Sequence, residues 1–136
     1  MAKVSGLGGV VSVADSGGTA RTISNDVTNW QLATPRAVQD VTGVDKSANE
    51  RILLLADASI TLNGVFNAAS NMSHAVFSSI PSSSVNRAVS VQATSTGSTL
   101  ATNMVLTDYQ LTRSNTGELT WQVPGSLADG AVPTWT

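Results

Sequence analysis

The sequence predicts a mainly β protein, a β-sandwich or partly open barrel with one flanking α-helix. Three observations carry that expectation. Serine and threonine account for 18 and 16 of the 136 residues; threonine and valine favour strands, and the glycines and asparagines between them supply turns. Short stretches alternate apolar with small polar residues, the period-two pattern of a half-buried strand. A helical period occurs only once. With 41% hydrophobic residues, 12% charged and a formal net charge of −2, the composition is that of a folded chain and not a disordered one. One domain covering 1–136 is expected, large enough to bury a core.

Residues 1–9 are glycine-rich and read as a flexible arm. "VVSVA" at 10–14 is a strand, "DSGG" at 15–18 a turn, and "TARTIS" pairs back as a hairpin. In "DVTNWQLATPRAVQDVT", Val27, Trp30 and Leu32 are apolar anchors. Pro35 cannot donate to a ladder, so a break, bulge or edge is expected there. "GVDKSANER" at 43–51 concentrates two acids and two bases and is expected to be a long inter-strand loop.

"ILLLA" leads into "LADASITLNGVFN" at 55–67, read as one strand. Ala58, Ile60 and Leu62 fall on one side; Asp57, Ser59, Thr61 and Asn63 form a small polar row on the other. Met72, Ala75, Val76, Ser79 and Ile80 fit a helical face of about three turns, stopped by Pro81. "RAVSVQAT" alternates Val89, Val91 and Ala93 against Ser90 and Gln92. "STGST" is a turn, "NMVLTDYQLTRS" one long strand, and "NTG" a tight turn. "ELTWQVP" sets Leu119, Trp121 and Val123 against Glu118, Thr120 and Gln122. Residues 125–136 form a polar tail with a late tryptophan, Trp135.

The residues offer little for chemistry. There is no cysteine, which excludes disulfides, thiolate metal sites and a cysteine nucleophile. His74 is the single histidine and no serine sits in a G-x-S-x-G context, so a serine–histidine site is not expected. The acids are dispersed without a D-x-D-x-D pattern, and no metal or cofactor is expected. "GLGG" at 6–9 precedes the first strand instead of following one, so it lacks the phosphate-loop context. The basic residues Lys3, Arg21, Arg36, Lys46, Arg51, Arg87 and Arg113 are scattered, unlike those of a nucleic-acid binder. No segment reaches the roughly 20 apolar residues of a membrane span. The first residues read as a mature N-terminus and not a signal peptide, which implies synthesis in the cytoplasm. Trp121 is expected in the core. Asp45, Lys46, Glu50, Arg51 and Trp135 are candidates for contacts between subunits. An enzyme is not expected; binding or structural assembly is.

The order of four pieces resembles the major tail tube protein of long-tailed bacteriophages. They are Ile23–Asp26, Leu55–Asn67, the segment Met72–Ile80 and Thr116–Val123. Together they span roughly residues 20–125. In that family a strand ending in an Asp/Asn turn leads to a long polar loop, a "DASxxxxGxF" strand, a helix and a late "GxLTW" strand. Here Leu54-Leu55-Ala56 replaces the usual Gly-Leu, and Asn25-Asp26 inverts the common order. The resemblance implies a virion protein, made in the host cytoplasm, whose hexameric rings stack into a tube. Inner strands of the ring would join into a continuous barrel, and the long loop and both termini would reach neighbouring copies. Partners implied are further copies of itself, the tail terminator, baseplate or tip proteins and the tape-measure protein, with phage DNA passing through unread. Asp57, Ser59, Thr61 and Asn63 would then line the lumen, because a bore that lets DNA slide should not hold phosphates. The alternatives are a monomeric carbohydrate-binding or adhesin-like sandwich, or a virion ring or decoration protein that does not polymerise.

Overall fold

The computed structural model describes residues 3–136; the arm expected at 1–9 therefore lies partly outside the described residues. Ten strands and one short helix follow in chain order. They are β1 (Val10–Ala14), β2 (Ala20–Thr22), β3 (Val27–Ala33), β4 (Arg36–Asp40), β5 (Arg51–Ala56), β6 (Ser59–Val65), α1 (Ser73–Phe77), β7 (Arg87–Thr94), β8 (Gly97–Leu106), β9 (Gln110–Arg113) and β10 (Leu119–Leu127). One large antiparallel sheet runs β2-β1-β7-β8-β10-β6-β3, with β9 also on β10, and β4–β5 is a separate hairpin. The sheet does not close into a barrel. The mainly β, sandwich-like expectation holds.

One face of the large sheet supplies the core. Val11 and Val13, Val89 and Val91, Ile60 and Leu62, and Trp121 and Val123 are all buried in one cluster. These pairs come from opposite ends of the strand order, so the sheet folds over on itself. Such a cluster, at about 25 cal/mol per Å² of apolar surface removed from water, is the main drive for folding. Ala58, Ile60 and Leu62 are buried as their alternation requires. Trp121 is core too, its Nε1 donating to the Val65 carbonyl at 2.8 Å. Its ring lies against Gly64, where a Cβ would approach Trp121 Cζ2 to 2.4 Å and the Asp26 carbonyl to 2.1 Å. Only glycine fits there.

Four readings need correction. The stretch 55–67 is two strands: β5 ends at Ala56 and β6 starts at Ser59, in different sheets. Asp57 makes the corner, its Oδ1 accepting from Ala58 N–H at 2.8 Å and its N–H donating to the Pro35 carbonyl at 2.9 Å. Likewise "NMVLTDYQLTRS" splits into β8 and β9, which lie end to end along the same side of β10. Pro124 stands in the gap between them, where its missing N–H has no ladder to serve, and its carbonyl takes the Thr107 N–H. The loop expected at 43–51 stops at Glu50, since Arg51 begins β5. Residues 125–127, read as tail, finish β10 on β6 and β8. The break expected at Pro35 is present, between β3 and β4.

The helix is a fifth correction: five residues, Ser73–Phe77, where about three turns were expected. Its buried side chains are Ser73, Val76 and Phe77, and Ala75 is exposed. Serine-rich sequence beyond Phe77 favours local turns over helix, and Ser83 N–H and Oγ both bond the Ser79 carbonyl. The short helix survives because the fold clamps both ends. Its own first turn has no acid, yet buried Asp26 accepts the Ser73 N–H at 3.0 Å and the Asn67 amide at 2.9 Å. At the other end buried Arg87 donates to the Val76 carbonyl at 2.8 Å, the Ala14 carbonyl at 3.2 Å and the Ser79 hydroxyl at 2.9 Å. Negative charge at the start and positive at the end match the helix dipole.

Candidate functional site: the uncharged face of the sheet

Register fixes which side chains share the open face. Across from Ser59, Thr61, Asn63 and Val65 on β6 stand Ser126, Pro124, Gln122 and Thr120 on β10. On the other flank stand Ala33, Gln31 and Asn29 of β3. Beyond β10, Thr112 and Gln110 of β9 continue the rows from Thr120 and Gln122. Thirteen side chains over four strands thus face outward and none is charged. A row of seven strand residues at about 3.3 Å each, four strands about 4.8 Å apart, gives a panel roughly 23 by 19 Å. Asn63 donates to Asn29 Oδ1 at 2.7 Å across the β3–β6 pair, so these amides are held in place.

Charge is placed elsewhere. Arg36, Asp40, Asp45, Lys46, Glu50 and Arg51 all lie on the β4–β5 hairpin. Asp15 and Arg21 pair at 3.1 Å beside the β1–β2 turn, and Asp26 and Arg87 are buried. Of the row read from the sequence, Ser59, Thr61 and Asn63 belong to the panel, whereas Asp57 sits exposed at the corner outside β6. The panel members on β3 and β9 were not singled out by sequence; only pairing register reveals them.

Asp45, Lys46 and Glu50 are brought together at the hairpin tip beside Arg51. Lys46 and Glu50 pair within the chain at 3.7 Å, and Thr42 Oγ1 ties the tip by accepting the Glu50 N–H at 2.7 Å. Trp135 is not with them. It bridges Leu100 on β8, and Thr136 and Thr99 exchange two backbone hydrogen bonds of 2.8 and 3.0 Å. Trp135 nevertheless remains half exposed.

The hairpin carries a second feature. Val38, Ile52, Leu53, Leu54 and Leu55 are exposed, Leu55 to 85%, and Val44 at the tip is fully exposed. An unbroken apolar run such as "ILLLA" is the pattern of a strand covered on both faces. Here a single chain covers neither, and exposed apolar surface of this extent marks an interaction site.

His74 sits among aromatic neighbours. Its Nδ1 lies 3.2 Å from the Tyr109 hydroxyl and its ring packs 4.8 Å from Phe66. Among the described residues no group of three metal-ligating side chains occurs, and no helix is long and apolar enough to cross a membrane. Tyr109 also packs 5.7 Å from Phe77, and burial raises its pKa above the ordinary 10.0. The folded state therefore favours the neutral phenol. Its contribution is whole below pH 10 and is lost as pH rises through the raised value. Thermal melts from pH 9 to 11.5 are expected to fall more steeply for wild type than for Tyr109→Phe; parallel curves would contradict this.

No family model matches the chain, and no curated protein matches it. Solved structures do. A chain of the virion of a native gene transfer agent particle superposes with a TM-score of 0.77 at 18% identity, covering 98% of this chain and 99% of that one. The fold is that of a gene transfer agent particle chain. A chain from the tail of an empty gene transfer agent particle, refined with C6 symmetry, matches at a TM-score of 0.72, 18% identity and the same coverage. The likeness runs end to end, hairpin and C-terminal segment included.

Proposed function

We propose that this chain is a structural tail tube subunit whose copies form six-membered rings that stack into a tube. The observation that carries the reading is the conjunction of a full-length fold match to a chain of a sixfold tail with a charge-free panel on the same fold. The panel faces the bore. Four strands from each of six copies, about 4.8 Å apart, give a wall about 115 Å round before strand tilt, hence a bore roughly 35–50 Å across at the backbone. Hydrated amides and hydroxyls with no lysine or arginine gain nothing from phosphate counterion release, so DNA passes without being held. The apolar hairpin and its charged tip contact the next ring, where Asp45 and Arg51 find partners and the exposed leucines are covered. Trp135, half exposed on β8, adds to such a contact. Head-to-tail contacts that stack without closing make a filament. Terminator, tip and tape-measure proteins are the partners at the tube's ends and interior, and the location is the virion tail.

Negative-stain imaging of purified protein at rising concentration tests the reading. Tubes with an axial channel are expected. Isolated rings would point to a non-polymerising virion protein, and a persistent monomer to a binding module; either outcome overturns the proposal.

A further inference from the structure

Of the asparagines in the chain only Asn63 is followed by glycine. The fold compels that glycine, because the Asp26 carbonyl and the Trp121 ring leave no room for a Cβ at Gly64. Asn63 itself is half-buried and stands on the uncharged panel. We infer that the Asn63–Gly64 pair is a site of spontaneous covalent modification, in which the Asn63 amide becomes a carboxylate, and that the Asn29 side chain restrains it. The modification belongs to the single chain and goes beyond the tube reading, since it needs no assembly.

The chemistry requires only the chain and water. The backbone nitrogen of Gly64 attacks Cγ of Asn63 and the new N–Cγ bond closes a cyclic imide. The Cγ–Nδ2 bond breaks, and Nδ2 leaves as ammonia with the proton that the Gly64 nitrogen gave up. Water then opens the ring at either carbonyl. Opening at Cγ gives aspartate in an ordinary peptide; opening at the backbone carbonyl gives isoaspartate, with the chain routed through Cγ. A side chain on the following residue would crowd the attack, and glycine has none.

A regular ladder opposes the reaction by fixing the backbone, but the pairing is irregular here. Val27 pairs with Gly64 and Asn29 with Asn63, so Thr28 is an extra residue on β3 and makes a bulge opposite the reacting peptide. A groove of about 250 Å³ beside it, lined in part by Thr28, Asn29, Asn63, Gly64 and Gln122, admits water. Two hydrogen bonds hold the reacting residue. Asn63 Nδ2 donates to Asn29 Oδ1 at 2.7 Å, and Thr28 Oγ1 donates to the Asn63 carbonyl at 3.2 Å. The first must break before Cγ can turn towards the Gly64 nitrogen, so Asn29 slows the reaction without taking part in it. Aspartate at 63 would put a carboxylate into the uncharged surface. Isoaspartate would lengthen the backbone of β6 and shift the register between its two halves.

The test ages the purified chain at neutral and mildly alkaline pH, digests it with trypsin and follows each asparagine by mass spectrometry. Trypsin releases 52–87 as one peptide, so Asn67, Asn71 and Asn86 are internal controls. Asn63 is expected to convert first, to both aspartate and isoaspartate, and faster at alkaline pH because the Gly64 nitrogen must lose its proton. Asn29→Ala is expected to speed this conversion about two- to tenfold, the weight of one net hydrogen bond, while the three controls keep their rates. Asn63→Gln, whose longer side chain must close a larger ring, is expected to abolish it. Asn63 still intact in the folded chain when the urea-unfolded chain has converted fully would overturn the site. Equal acceleration of all four asparagines by Asn29→Ala, or none, would overturn the restraint.

Discussion

Arg87→Met is expected to melt about 10–20 °C below wild type, the largest stability loss of any single substitution outside the packed apolar core. Arg87 is 1% exposed, with no carboxylate bonded to it, and its charge is spread over carbonyls of Ala14 and Val76 and hydroxyls of Ser79 and Ser83. Methionine fills similar length but leaves those acceptors buried without donors. Unmet buried partners cost about 1–3 kcal/mol each where water cannot reach, and breaking a buried charged network costs about 3–5 kcal/mol in total. Domains of this size have about 5–15 kcal/mol of stability and lose roughly 3–5 °C per kcal/mol. Arg87→Lys keeps the charge without the planar fork and is expected to fall between the two. A melting point for Arg87→Met within 3 °C of wild type would show that the helix is not held from this end.

Thr61→Lys is expected to leave folding and assembly intact and to slow DNA passage through the tail by at least about tenfold. Thr61 lies in the middle of the panel on β6, between Gln31 and Pro124, where a long side chain reaches outward without entering the core. In the tube reading each ring gains six ammonium groups. Contact with six phosphates makes binding fall with roughly the fifth power of salt concentration, so the brake should ease sharply between 50 and 200 mM salt. Thr61→Ser is the neutral control. DNA release measured from particles carrying each variant decides the matter: equal rates for lysine and serine at low salt would remove Thr61 from the bore.

Much of the fold was legible because strand alternation is a local property. Ile60, Leu62, Trp121, Val123, Val89 and Val91 announce their buried face within a few residues of sequence. Chain direction is not local. Nothing in "ILLLADASITLNG" says that Leu55 and Ser59 belong to different sheets; the corner exists because Asp57 bonds its neighbour and Pro35 from a distant strand. The helix was overread for the same reason, since Met72, Ala75 and Ile80 keep a helical period while its ends are set by Asp26 and Arg87, remote in sequence. The panel was half legible. Ser59, Thr61 and Asn63 alternate visibly, whereas Asn29, Gln31, Gln110 and Thr112 join them only through cross-strand register. The apolar hairpin departs from its own pattern, because a run with the composition of a strand covered on both faces is exposed on the single chain.

The central claim is that identical copies surround a hollow whose wall is the charge-free panel. A sixfold-averaged cryo-electron microscopy reconstruction of purified tubes, at a resolution that separates strands, tests it most directly. The account predicts β6 on the channel wall, with Ser59, Thr61 and Asn63 pointing at the axis and the β4–β5 hairpin reaching into the next ring. A reconstruction with that face on the outer surface, or with the bore lined by the charged hairpin tip, would contradict it.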